Sequence, residues 1–165
     1  MEVQKSTAAD RLVMHQDALT LLGADHAIVL ELFEEFQSAL EEGADTVGEL
    51  AEQICRELEM HSEIEEDIFY PALAGAEALR PLVEEAMLAH GELRASIQHA
   101  RSLHADDPEF GSTMLEMIEQ AERHINEEEN MIFPEVVRHL EEQLTDLGGR
   151  MDERKRELTA AFGGR

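Results

Sequence analysis

The chain is poor in the residues that build sheets and covalent cross-links. It holds one cysteine, Cys55, one tyrosine, Tyr70, and four prolines in 165 residues. A single cysteine excludes an intramolecular disulfide and suits a reducing compartment. Val, Ile and Thr together fill 21 positions against 69 for Ala, Leu and Glu, which leaves little for strands and favours helices. Every apolar run falls far short of the roughly 20 residues needed to span a bilayer. The opening MEVQKSTAADRLVMHQ lacks the apolar stretch and small-residue cleavage site of a secretory signal. Basic residues are scarce as well, 13 against 38 acidic, for a net charge of −25. Such a surface repels phosphate backbones and anionic lipid, which argues against nucleic-acid and membrane partners. A hydrophobic content of 43% is too high for a disordered chain. The expectation is a soluble, cytoplasmic, all-α chain of one domain.

Glycine and proline divide it into helices. Asp17 caps a first helix that runs to about Glu42, with Gly43 beyond its end and Gly23 marking a bend. A second helix fits Thr46 to about Tyr70 and ends near Pro71. A third runs from about Glu77 to Leu103, with Pro81 in its first turn. The Asp107-Pro108 pair starts a fourth from about Glu109 to Leu140, kinked or broken near Pro134. Gly148-Gly149 then sets off a tail helix from about Arg150 to Phe162. Short connections make neighbours antiparallel, so the expected fold is an up-down-up-down four-helix bundle with a short C-terminal helix. The expected divisions are an N-terminal extension over 1–16, the bundle over 17–140 and a helical tail over 141–165.

The apolar stripes of two helices are interrupted by polar residues in the same way. One reads Ile54, Leu58, His61, Glu65, Ile68, and the other Met117, Ala121, His124, Glu128, Met131. Each stripe carries a histidine and a glutamate one turn apart on the core side, close enough for both side chains to reach one point. Buried carboxylates and charged imidazoles are costly without a partner. HSEIEEDIFYP (61–71) aligns without gaps on HINEEENMIFP (124–134), and His26 and His90 stand at matching distances upstream, 35 and 34 residues before His61 and His124. Two helical hairpins related by a pseudo-twofold axis would produce this spacing. The candidate metal ligands are therefore His26, His61, Glu65, His90, His124 and Glu128. Four imidazoles and two carboxylates suit Fe, Mn, Zn or Cu better than Ca or Mg, and two shared carboxylates suit a pair of metals about 3.5–4 Å apart.

At these residues the chain resembles the hemerythrin-like, or HHE cation-binding, family. The resemblance is carried by Ala24-Asp25-His26, by His61-x-x-x-Glu65 running into Phe69-Tyr70-Pro71, by His90, and by His124-x-x-x-Glu128, and it covers about residues 17–140. It implies a four-helix bundle around a non-haem di-iron centre, two iron ions joined by an oxo or hydroxo bridge, that meets O2, peroxide or nitric oxide. The function it implies is binding or reduction of such a small oxidant, with an O2- or iron-binding or sensing module without turnover as the alternative. The ferritin-like Glu-x-x-His signature is absent, since positions 23, 58, 87 and 121 are Gly, Leu, Met and Ala. Oxygen-carrying hemerythrins have a His-x-x-x-His pair on the third helix. Here Arg94 follows His90 by four and Ala86 precedes it by four, which argues for peroxide or nitric oxide chemistry over oxygen transport. The family's fourth-helix carboxylate falls five residues after its histidine, at Glu129, whereas the internal repeat selects Glu128.

Tyr70 leaves three readings open: a core-edge ring with its hydroxyl in water, a phenol hydrogen-bonded to a carboxylate ligand, or a phenol filling the site left by the absent histidine. His15, His99, His104 and His139 fall off the inner stripes. Cys55 belongs at a helix seam. Glu63, Glu66, Asp67, Glu127 and Glu129 read as a solvated face around the ligand turns. Met60, Met87, Met114, Met117 and Met131 read as gap-fillers, with Met87 and Met131 beside a metal cavity.

Overall fold

The computed structural model describes residues 17–163, so the expected extension over 1–16, with His15, lies outside the described residues. No strand occurs among them. Helix α1 spans Ala18–Glu42. Helix α2 spans Val47–Ile64, passes through a π-helical turn at Glu65–Phe69, and continues as α3, Tyr70–Ala74. After a 3-10 turn at Glu77–Leu79, α4 spans Arg80–Ser102. Helix α5 spans Phe110–Glu127, passes through a second π turn at Glu128–Ile132, and continues as α6, Phe133–Leu140. A 3-10 turn at Glu141–Gln143 leads into α7, Leu144–Gly163. Helix α1 packs on α2 and α4 on α5, while α1 also meets α5 and α2 meets α4, which closes the up-down-up-down bundle. Helix α7 lies against α1 and α2.

The termini form as their chemistry requires. The Asp17 side chain accepts the Thr20 backbone N–H at 2.8 Å, satisfying one orphan donor of the first turn. Gly43 closes α1 at φ 64, the left-handed region a side chain would disfavour. No described helix is long and apolar enough to cross a membrane.

Four local expectations need correction. Helix α1 runs unbroken through Gly23. The second bundle rod continues past Pro71 to Ala74, and the fourth, which ends at Leu140 as expected, passes Pro134 without a break. Each proline follows a π turn, in which the Tyr70 N–H donates to Glu65 O and the Phe133 N–H to Glu128 O. Proline has no N–H to give the carbonyl four residues back, and the widened turn before it absorbs that mismatch without a break. Gly148 and Gly149 do not separate a tail, because α7 begins at Leu144 and runs through both. Finally, the π turns advance the inward face by one residue. Phe69 and Ile132 are buried, whereas Ile68 is half-buried and Met131 is exposed.

The interior divides into two apolar clusters. One contains Val29, Phe33, Phe36, Leu58, Leu93, Met117 and Ile125, and the other Leu21, Leu22, Ile64, Phe69, Ala86, Ile132 and Val136. On α1 the break falls at residues 25–26, on α2 around 61, and on α4 around 90. Glu128 falls in the matching gap between Ile125 and Ile132. The buried polar residues among those described are Asp25, His26, His61, Glu65, His90 and Glu128. One polar layer thus separates the two halves of the core.

Candidate metal centre

Each element contributes to this layer from its core stripe. Helix α1 supplies His26, α2 His61, α4 His90 and α5 His124, while Glu65 and Glu128 are the first residues of the two π turns. The imidazoles form two pairs. His26 Nε2 lies 3.1 Å from His61 Nε2, and His90 Nε2 lies 3.0 Å from His124 Nε2. Each carboxylate spans both pairs. Glu65 Oε1 is 3.2 Å from His61 Nε2 and 3.3 Å from His90 Nε2. Glu128 sets Oε1 3.3 Å from His26 Nε2 and Oε2 3.4 Å from His124 Nε2. Donor atoms of Glu65, His90, His124 and Glu128 fall within 4.8 Å of one another, and so do those of His26, His61 and Glu128. The structure therefore brings all six sequence-selected residues to one place, as two adjoining donor sets that share Glu128.

The outer ring nitrogens explain why the inner ones face each other. His26 Nδ1–H donates to Glu129 Oε1 at 2.9 Å, and His61 Nδ1–H to Asp25 Oδ2 at 3.4 Å. His90 Nδ1 lies 3.4 Å from Glu66 Oε2. A carboxylate at Nδ1 favours the tautomer that leaves the Nε2 lone pair free and directed inward, the arrangement metal-binding histidines use. Glu66 and Glu129 are register mates in the repeat, and both lie at an outer ring nitrogen, Glu129 as the acceptor from His26 and Glu66 as a nearby charge to which the buried His90 Nδ1 makes no hydrogen bond of good geometry. Glu128 is thus the fully buried carboxylate and Glu129 the half-exposed outer partner of His26.

Burial and charge oppose each other here. Burial pulls the His61 imidazole down, but Glu65 and Asp25 outweigh it and hold His61 well above its ordinary value. Burial likewise lowers His90, and Glu65 overcomes it, leaving the group raised. Burial pushes the Glu65 carboxyl up, yet His61 and His90 hold it well below its usual range. Even so, Glu65 Oε1 and Oε2 and Glu128 Oε1 accept no hydrogen bond of good geometry although fully buried. Buried carboxylate oxygens without donors carry a large desolvation cost. Cations held in the two donor sets would meet those oxygens together with the facing Nε2 atoms, so the residues fit bound metal.

Tyr70 belongs to the site, and its hydroxyl does not reach water. The phenol is 1% exposed and donates to Glu128 Oε2 at 2.6 Å, with His90 Nε2 and His124 Nε2 at 3.2 and 3.4 Å. Burial and the charges of Glu65 and Glu128 hold it well above its ordinary value, which keeps the proton on its oxygen. Its repeat mate Phe133 instead stacks on His26, with centroids 6.0 Å apart.

Other expectations are corrected. Met87 and Met131 are exposed and do not fill gaps in the core. Glu66 and Glu129, read as solvated, contact the ligand imidazoles. The outer role of Asp25, and of the two cations that brace the outer carboxylates, was not evident from the sequence. Arg94 Nη2 bonds both oxygens of Glu66 at 2.9 and 2.8 Å, and Lys155 Nζ donates to Asp25 Oδ1. The repeat register carried a signal for the two glutamates, but none linked Lys155 to a residue 130 positions away. His99, His104 and His139 are exposed. Cys55 is buried among core side chains, and burial pushes its thiol up to about 11.

Comparison with known proteins gives the family and the fold. The model of the hemerythrin HHE cation-binding domain matches residues 17–136. A solved structure titled as a hemerythrin HHE cation-binding domain-containing protein from Mycobacterium kansasii superposes with a TM-score of 0.74 at 22% identity, covering 90% of this chain and 94% of the other. No curated protein sequence is significantly similar. The family match spans most of the chain and includes every residue of the two donor sets, so the chain belongs to the hemerythrin HHE cation-binding family.

Proposed function

We propose that this is a non-haem di-iron protein that binds or reduces a small oxidant, namely peroxide, nitric oxide or O2. The observation that carries the reading is the pair of facing imidazole couples spanned by two fully buried carboxylates, with three carboxylate oxygens left without hydrogen-bond donors. His26, His61 and Glu128 would hold one ion, and His90, His124, Glu65 and Glu128 the other. Imidazole and carboxylate donors suit iron, which supplies one-electron redox chemistry when bound. Glu128 faces both donor sets with different oxygens, as a bridging carboxylate would. The apolar clusters lie above and below the layer, so access to it is limited to its sides.

Two features favour peroxide or nitric oxide over oxygen carriage. Position 94, where a carrier would place its additional histidine, holds an arginine directed outward onto Glu66. In the space beside His90 and His124 stands the Tyr70 phenol, with its proton directed at Glu128 Oε2. That hydroxyl is a buried acid adjacent to the donor set, where it can stabilise charge on Glu128.

The test is metal content per chain with the ultraviolet-visible spectrum of aerobically purified protein, followed by mixing of the anaerobic ferrous protein with peroxide and with nitric oxide. About two irons per chain, near-ultraviolet absorption of a bridged ferric pair, and reaction faster than free ferrous ion support the proposal. Protein that binds ferrous iron without reacting faster than the free ion favours the binding or sensing reading. Protein that binds no ferrous iron overturns both.

A further inference from the structure

Helix α7 lies beyond the stretch matched by the family, which ends at residue 136, yet it reaches the polar layer. Leu144, Leu147, Met151 and Leu158 are buried in the apolar cluster above the site. On the same helix two adjacent cations grip the first half of the centre from outside. Arg154 lies 3.2 Å from Asp67 and 3.8 Å from Glu63, so it clasps the π turn that begins at Glu65. Lys155 Nζ donates to Asp25 Oδ1, and the other oxygen, Oδ2, accepts from His61 Nδ1–H. Asp25 is nearly buried, and burial raises its carboxyl, but His61 and Lys155 outweigh that and leave it lowered. Without Lys155 this carboxylate would lack its cation and be free to turn from the imidazole.

The second half is braced differently, from within the bundle: Arg94 of α4 bonds both oxygens of Glu66, whose carboxylate faces His90 Nδ1. The residue before His90 is Ala89, where Asp25 stands before His26, and α7 packs on α1 and α2. We infer that Lys155 and Asp25 are positioning residues of the metal centre, and that α7 is a latch whose docking and the loading of the His26–His61 side support each other. This inference rests on the metal-binding reading above. The chain of contacts is Lys155 to Asp25 to His61, so fixing the carboxylate fixes the ring orientation and keeps Nε2 directed at the donor set. By thermodynamic reciprocity, a metal held by a correctly oriented His61 must strengthen the docking of α7 by the same factor that docked α7 strengthens the metal.

The test uses the full chain and ferrous iron under anaerobic conditions. Ferrous affinity is measured by chelator competition for wild type, Lys155→Met and Lys155→Arg, and backbone hydrogen exchange over 151–158 is followed with and without iron. Lys155→Met keeps the aliphatic packing and removes the charge, so a folded metal-free variant is expected, checked by its thermal melt. Expected is ferrous binding about tenfold or more weaker in Lys155→Met, recovery of most of it in Lys155→Arg, and iron-dependent slowing of exchange over 151–158 that Lys155→Met abolishes. Should Lys155→Met melt early, Asp25→Asn tests the same link without touching α7, with the same loss expected. Wild-type iron binding with Lys155→Met within twofold of it, or exchange over 151–158 indifferent to iron, overturns the latch and leaves the metal centre standing. Failure of the wild type to bind ferrous iron overturns both at once.

Discussion

The two halves of the bundle share one sequence pattern and one backbone device, but they differ in what stands behind the histidines. In both, a glutamate opens a π turn, the next glutamate lies at the outer nitrogen of a histidine in the other hairpin, and a proline follows the turn. The first half adds Asp25 behind His61 and a helix behind Asp25. The second half has Ala89 at the equivalent place, and beside it a cavity of about 370 Å³ that Ala89 and His124 both line. It also has Tyr70 against its imidazoles where the first half has Phe133 against His26. A repeated donor pattern thus sits in asymmetric surroundings: α7 braces His61 through Asp25, whereas on the other side Arg94 of the bundle holds the Glu66 that faces His90, and His124 has a phenol and open space beside it. The repeated part fits holding metal, and the asymmetric part is where a small ligand would tell the two sides apart.

The largest effect should come from breaking what both halves share. Glu65→Ala and Glu128→Ala each remove a carboxylate that reaches both imidazole couples. Either variant is expected to drop iron from about two per chain to near zero in the purified protein, read by metal analysis. Retention of half the iron would mean that the halves bind independently and that the carboxylates do not bridge.

Next is the phenol. Tyr70→Phe removes the donor to Glu128 Oε2 and leaves a fully buried carboxylate oxygen without it. Hydrogen bonds to charged groups contribute about 1.5–3 kcal/mol, so the metal-free variant should lose on the order of 2 kcal/mol in chemical denaturation. The reciprocal Phe133→Tyr should not replace it, since that ring stacks on His26. An unchanged denaturation midpoint in Tyr70→Phe would show that the hydroxyl is idle in the metal-free state.

These comparisons also show what sequence reveals and what it conceals. The bundle was legible because its apolar residues keep helical spacing, and the six inner residues because the repeat places them at the same register twice. The π turns were not legible. Their one-residue advance is a backbone choice, and a stripe drawn at helical spacing puts Ile68 and Met131 inward where Phe69 and Ile132 belong. Glu66 lay among acidic neighbours with nothing to mark its place beside a ring nitrogen, and Glu129 stood out only as the alternative ligand to Glu128. Lys155 was invisible for a different reason. Its partner lies in another helix far up the chain, and nothing periodic ties the two together.

A smaller effect separates the outer carboxylates. Asp25 is nearly buried and braced by Lys155, whereas Glu129 is about two-fifths exposed with no cation on it among the contacts found. An exposed group exchanges its hydrogen bond for water at little cost. Glu129→Gln should therefore weaken ferrous binding only a few-fold, against about tenfold or more for Asp25→Asn, in the same chelator competition. Equal losses would mean that burial does not distinguish the two supports.

The smallest change probes the asymmetry from the opposite direction. Ala89→Asp places a carboxylate before His90 as Asp25 stands before His26, and the adjoining cavity has room for the added atoms. Position 89 is half-buried, and the cavity already holds Glu92 and Glu127, so like-charge repulsion offsets part of any gain. The net change in stability is expected to stay within about 0.5 kcal/mol, measured by thermal melting. Ferrous affinity should rise slightly if the new carboxylate accepts from His124 Nδ1–H as Asp25 does from His61. A rise in affinity joined to slower reaction with peroxide would mean that His124 is left without an outer carboxylate because the open face beside it is where the oxidant arrives. A rise in affinity with unchanged reactivity would make Ala89 a gap in the repeat and nothing more, and the functional difference between the halves would then rest on Tyr70.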